Sequence, residues 1–368
     1  MKGTRLGETK RLPGGSGGDY PPRWGPGAKP LVGLGAKPPR ATTKTKVTHY
    51  YPELTLGLSL LILAALSLSI GASRLTVWDL LSNDPSQQTL AATIIGEIRL
   101  PRTLLAVLTG GSLGLSGAVL QGLLRNPLAD PGVIGISATA SLGAVLAFYF
   151  GLWSVAAGGI CGGLLAALLL VTLAGRHAST LTLLLAGVAL SSFAVALTAL
   201  ALNLAPSPLA AYEILFWLLG SVADRAWEQV GTAAPFILLG WLLLLRTGRG
   251  LSALALGEDV AQTLGIDLRR LRLTAVVGTA LCVGASVAVT GSIGFVGLVV
   301  PHLLRPLVRH DAHRLLGVST LGGAVLLLAA DLAVRLAAVG QELKLGVATA
   351  LVGAPFFLWQ LLRMRGTP

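Results

Sequence analysis

Residues 99–135 read RLPRTLLAVLTGGSLGLSGAVLQGLLRNPLADPGVIG, and the fold class follows from them. Arg99, Pro101 and Arg102 predict a basic, proline-marked corner. It opens onto Thr103–Leu124, a run without a single charge. The run closes on a polar, proline-broken segment, Arg125-Asn126-Pro127-Leu128-Ala129-Asp130-Pro131. At a helical rise of about 1.5 Å per residue it measures roughly 33 Å, enough to cross a bilayer core. Its interior holds five glycines, two serines and one glutamine, Gln121. Small residues let helix backbones approach closely, which predicts a helix inside a bundle rather than against lipid.

The rest of the chain agrees. Of 368 residues, 53% are hydrophobic and 12% charged, and the mean hydropathy is +0.75. Soluble domains carry about 25% charged residues, so this chain lacks the charge to coat a water-facing surface. It reads as an all-α, polytopic membrane protein. Apolar windows predict about ten transmembrane helices, near Leu54–Ala72, Thr103–Leu124, Val133–Phe150, Val155–Leu173, Leu181–Leu202, Gly231–Leu245, Leu273–Val289, Phe295–Val308, Leu315–Ala337 and Leu345–Leu362.

Ten spans put both termini on one side. Lys and Arg bias makes that side cytoplasmic, because most of the 28 basic residues then fall on the inner face. Arg74, Arg99, Arg102, Arg225, Arg335 and Lys344 stay on the outer face. Ten basic residues lie in the first 46. Residues 1–50 are Gly- and Pro-rich without an apolar run, and read as a disordered cytoplasmic tail. They are read as orienting the first helix rather than as binding nucleic acid. Residues 51–368 form the transmembrane domain.

Two connections are more than turns. Asn203–Glu228 is a long outer segment whose apolar, aromatic middle, Tyr212–Leu219, is too short to span and predicts an interfacial or re-entrant helix. Thr247–Arg272 is a long inner segment. Gly257 breaks it, Glu258 and Asp259 favour a helix N-terminus, and Gly265 ends that helix. Val260, Ala261 and Leu264 then share one side of a small amphipathic helix, with an ordinary basic loop as the alternative.

Several chemistries are missing. No GxxxxGK[ST] phosphate loop and no HExxH occur, so no catalytic residue is assigned. Cys161 and Cys282 lie in apolar runs and read as buried hydrophobes. His310-Asp311-Ala312-His313 lies in a basic loop and reads as solvated rather than as a metal site. No cofactor is implied. Mid-membrane carboxylates of the kind ion-driven carriers use are lacking, although Asp331 and Arg335, four apart, can pair on one helix face. An ion-coupled secondary transporter or an intramembrane enzyme stays as the alternative of another class.

The motifs RLPRTL (Arg99–Leu104), SGAVLQ (Ser116–Gln121), RNPLADPGVIG (Arg125–Gly135), LLLAGVAL (Leu183–Leu190), FWLLGS (Phe216–Ser221), LGEDVAQTLG (Leu256–Gly265), GSIGFVGLVVPHLLR (Gly291–Arg305) and GAPFFL (Gly353–Leu358) occur in this order. With them the chain resembles permease subunits of bacterial ABC importers for iron–siderophore complexes, haem and cobalamin. The resemblance implies a homodimer enclosing a central pathway in the bacterial inner membrane. Two ATP-binding subunits sit below it, and a periplasmic or lipid-anchored binding protein sits above. It implies that Leu256, Gly257, Glu258, Asp259, Ala261, Leu264 and Gly265 couple to the ATPase. Arg99, Arg102 and Arg335 correspond to outer arginines that meet acidic residues of the binding protein, with headgroup or local pairing as the alternative. Asn126, Leu128, Ser179, Thr180 and Leu181 correspond to a cytoplasmic gate, although Ser179 and Thr180 also suit a helix cap. A loose likeness around Pro206–Ser221 favours a ferric siderophore over cobalamin or haem as the solute.

Overall fold

The computed structural model describes residues 51–71, 73, 75–151, 154–174, 180–337 and 343–365. The predicted tail, residues 1–50, and Ser179 of the predicted gate lie outside them. Among the described residues the regular elements are all helical. They are α1 (Pro52–Ser69), α2 (Pro85–Thr93), α3 (Leu100–Leu123), α4 (Ile136–Phe150), α5 (Val155–Ala174), α6 (Thr180–Asn203) and α7 (Pro208–Leu218). There follow α8 (Trp227–Arg246), α9 (Gly248–Leu254), α10 (Glu258–Thr263), α11 (Leu268–Thr290), α12 (Val296–Leu304), α13 (Ala312–Ala337) and α14 (Leu345–Arg365).

Each of the ten predicted windows overlaps a helix. Among the described residues seven helices are long and apolar enough to cross a membrane: α1, the continuous Pro85–Leu123 rod, α5, α6, α8, α11 and α13. The helices at 136–150, 296–308 and 345–359 are apolar but shorter. Gly135, at φ 82°, delays the start of α4 by three residues from the predicted Val133. Pro306 turns the end of the eighth window into a separate 3₁₀ turn.

The quoted stretch folds as the bundle axis. Of the best membrane-length window, 83% of residues are buried in the Pro85–Leu123 rod and in α11, against 11% in α1. The glycines explain how α3 gets there. A Cβ on Gly323 of α13 would overlap the Gly110 carbonyl oxygen, and one on Gly114 would overlap that of Ser319. The two backbones are therefore in direct contact, which only residues without a side chain permit. Trp241 of α8 ties in from another side, its Nε1 donating to Ser112 Oγ at 3.0 Å.

The corner expected at Arg99–Arg102 is instead continuous helix. Residues Ile94–Arg99 form a π-turn that joins α2 to α3. Leu100 donates its N–H to Ile95 O, five residues back, and Pro101 has none to donate. The Gly96 carbonyl thus loses both donors within the helix. The Trp227 indole at the start of α8 supplies one at 3.0 Å. Proline here sets the helical phase rather than ending the helix.

Candidate functional site

At the end of the bundle that the charge bias predicts to be outer, the π-turn sets the position of Arg99, which is only 4% exposed. Its Nη1 donates to the carbonyls of Leu68, Ser69 and Leu75 at 2.7–3.1 Å. Its Nη2 donates to Ser73 O and Ser73 Oγ at 3.1 and 2.9 Å. One guanidinium therefore gathers the chain that leaves α1. Carbonyls of an irregular loop at this depth need donors, and a planar five-donor fork provides them.

One helical turn on, Arg102 forks onto Asp331 of α13. Its Nη2 lies 2.8 Å and its Nε 3.1 Å from Oδ1. Asp331, 1% exposed, also pairs with Arg335. Arg335 reaches α1 as well, Nη1 donating to Ser67 O at 2.9 Å and Ile70 O at 3.3 Å. The Ser67 and Thr103 hydroxyls meet at 2.6 Å. Two cations thus share one buried carboxylate, and α1, α3 and α13 are bound together. The i,i+4 pair was legible in the sequence. Arg102 as the second partner was not, because 229 residues separate it from Asp331. Of the two expectations for these arginines, the geometry shows the local one, with donors on Asp331 and on carbonyls of the chain after α1; docking of a partner at this end belongs to the proposed function.

The inner end is built differently. Arg125, at φ 46°, terminates α3, and Asn126 Oδ1 accepts the Leu128 N–H at 2.9 Å to close the following turn. Beyond α8, α9 packs into the bundle, Gly257 turns at φ 118°, α10 runs six residues, and Gly265 turns at φ 82°. This is the short helix that the glycines and acids predict. Its faces differ from the prediction: Ala261 is fully buried, whereas Val260 and Leu264 are exposed, Leu264 by 61% and the preceding Leu256 by 67%. Small Ala261 allows α10 to lie close on the bundle, which turns the larger apolar residues outward.

Glu258, the first residue of α10, bridges Arg272 of α11 at 3.0 Å and Arg125 at the foot of α3 at 3.4 Å. Of the predicted gate, Asn126 and Leu128 are half-buried in the turn after α3, Leu181 is exposed, and Thr180 opens α6. Nearby, Gln121, the polar residue singled out in the central run, accepts from Arg305 Nη2 at 2.8 Å and donates to Gly297 O and Leu298 O. It locks α12 against α3. Among the described residues no group of three His, Cys, Asp or Glu side chains is placed to hold a metal. Asp311, of the His-Asp-Ala-His segment, caps α13 by accepting the N–H groups of His313 and Arg314 at 2.8 and 3.3 Å.

Close-packed apolar helices, one braced end and, at the other, a short helix with exposed apolar side chains on and beside it fit a polytopic transport permease. Residues 59–363 match the FecCD transport family, and the chain belongs to it. It is 40% identical over 319 residues to the vitamin B12 import system permease protein BtuC of Klebsiella pneumoniae, covering 84% of this chain and 93% of that one. The BtuC of Salmonella typhimurium is 41% identical over 316 residues, covering 84% and 94%. An inward-facing metal-chelate type ABC transporter superposes with a TM-score of 0.77 at 35% identity, over 85% of this chain and all of that one.

Proposed function

We propose that this chain is the membrane permease of an importer that moves a cobalamin-type corrinoid into the bacterial cytoplasm, driven by ATP hydrolysed on separate subunits. About 40% identity to vitamin B12 permeases along nearly their whole length supports the corrinoid. The ferric siderophore expected from Pro206–Ser221 has no such support among these relatives. Two copies enclose the pathway in the inner membrane, with both termini cytoplasmic. The ATPase subunits grip Leu256, Val260 and Leu264, whose exposed apolar side chains are unusual on a cytosolic surface and suit a protein contact. Gly257, Glu258, Asp259, Ala261 and Gly265 shape and hold that helix. Asn126, Leu128, Ser179, Thr180 and Leu181 form the inner gate. A binding protein docks on the outer platform that Arg99, Arg102 and Arg335 brace from within.

The test is reconstitution of the full chain in liposomes with its cognate ATPase and binding protein. Radiolabelled cyanocobalamin is expected to accumulate with ATP and to stop with a non-hydrolysable analogue. Uptake that follows an imposed proton gradient without ATP would show a secondary transporter. Uptake of a ferric siderophore but not cyanocobalamin would overturn the corrinoid assignment alone.

A further inference from the structure

Behind α7, at the outer end, lies a crevice of about 400 Å³. Val145 and Phe148 of α4, Ile214 and Trp217 of α7 and Val289 of α11 give it an apolar wall. Glu213, Arg225 and Glu228 also line it. The size lies near the lower bound for small-molecule pockets and is far too small for a corrinoid.

Arg225 is the unusual group. The chain reaches it through Asp224, which holds a left-handed φ of 54°. Its buried Nε has no hydrogen-bond partner, and among the described residues its guanidinium forms no ion pair within 4 Å. Burial pushes its pKa below the ordinary arginine value, and neighbouring Asp224 partly offsets this. Arg225 is half-buried, and a guanidinium whose Nε is sealed from water without a partner carries a desolvation cost that a ligand on its other nitrogens would offset. Glu213 and Glu228 line the same space yet neither is within pairing distance of it. The other arginines withdrawn from solvent at this end, Arg99, Arg102 and Arg335, hold carbonyls or Asp331; this one is left open.

We propose that the crevice binds the head of a zwitterionic phospholipid: its phosphate on Arg225, its ammonium on Glu213 and Glu228, and its first acyl carbons along Phe148 and Val289. The charge arrangement selects the ligand. A lone anion would meet two carboxylates beside one cation, and a lone cation would meet Arg225. A phosphoethanolamine head supplies one charge of each sign a few bonds apart. The adjoining wall accepts a hydrocarbon chain, and Phe148 is exposed on the apolar flank from which a lipid would enter.

The test uses the full chain purified in detergent and titrated with defined lipids. Native mass spectrometry reads retained lipid and thermal unfolding reads stabilisation. Phosphatidylethanolamine is expected to be retained over phosphatidylglycerol and to raise the unfolding temperature. Arg225→Gln should lower its retention by about tenfold or more, since a hydrogen bond to a charged group is worth about 1.5–3 kcal/mol. Glu213→Gln/Glu228→Gln keeps Arg225 and should shift preference toward phosphatidylglycerol. That second variant decides the matter if the first does not fold. Equal retention by wild type and both variants would overturn the proposal. Displacement by inorganic phosphate alone would identify a free-anion site and overturn it. Displacement by cyanocobalamin would make the crevice a solute subsite and overturn it too. None of these outcomes touches ATP-driven uptake, which is read separately.

Discussion

The two ends of the bundle treat charge in opposite ways. At the outer end Arg99, Arg102 and Arg335 are withdrawn from solvent and spend their donors on loop carbonyls and on Asp331. At the inner end Glu258 shares itself between two arginines, Arg125 and Arg272, in pairs that stay partly exposed to water. A buried charge fixes geometry because losing its partner is expensive. An exposed pair costs little to open. The outer end is therefore a brace, and the inner end is a joint that can exchange partners as α10 moves relative to α3 and α11. This division suits the proposed function, in which an ATPase acts on α10 and a binding protein docks at the opposite end.

Asp331 offers the largest way to break the comparison. Asp331→Asn keeps the shape but removes the buried carboxylate that Arg102 and Arg335 share. The expected cost is about 3–5 kcal/mol, read as a lowered thermal midpoint in detergent and reduced yield from membranes. Replacing all three residues together by apolar ones, Arg102→Met, Asp331→Leu and Arg335→Met, should recover most of it, because no orphan charge is left. If Asp331→Asn melts like wild type, the outer end is not a brace.

Arg99→Lys is the next largest. Lysine keeps the charge but has three donors on a flexible stem, where Arg99 serves Leu68, Ser69, Ser73 and Leu75 with a rigid fork. A loss of about 2 kcal/mol is expected. The loop after Ser69 should also become more accessible, measurable as faster hydrogen exchange there while α11 stays protected. Binding-protein affinity should fall only as far as that loop is disturbed. A large loss of affinity with unchanged exchange would return Arg99 to direct docking.

These residues also show what the sequence made legible. The ten windows, the central placement of the 99–135 stretch and the glycine-bounded helix at Glu258–Thr263 follow from local composition, because apolar length and glycine position act over a few residues. The Asp331–Arg335 pair was visible for the same reason. Arg102–Asp331 and Trp227–Gly96 were not, since they join points far apart in the chain that meet only after α3 packs on α13 and α8. The inward turn of Arg99 was hidden for a further reason. A positive residue on an outer face reads as exposed, and the π-turn before Pro101 sets this one inward. The side on which Val260 and Leu264 lie failed for want of one fact, that small Ala261 is what the bundle accommodates.

Glu258→Gln carries the smallest expected effect on stability and sharpens the contrast most. Both pairs of Glu258 are partly exposed, so their loss should cost less than about 1 kcal/mol and leave the thermal midpoint nearly unchanged. The effect should instead appear in coupling. With Glu258 gone, motion of α10 reaches the foot of α3 only through backbone and through Ala261. Uptake per ATP hydrolysed should fall several-fold, while the ATPase subunits bind with unaltered affinity through Leu256, Val260 and Leu264. Because the pairs are screened, wild type at high salt should move part of the way toward the variant, whereas Asp331→Asn should be insensitive to salt. A Glu258→Gln permease with wild-type uptake per ATP would mean that α10 transmits force through packing alone. A variant that unfolds as readily as Asp331→Asn would mean that the inner end is braced in the same way as the outer one.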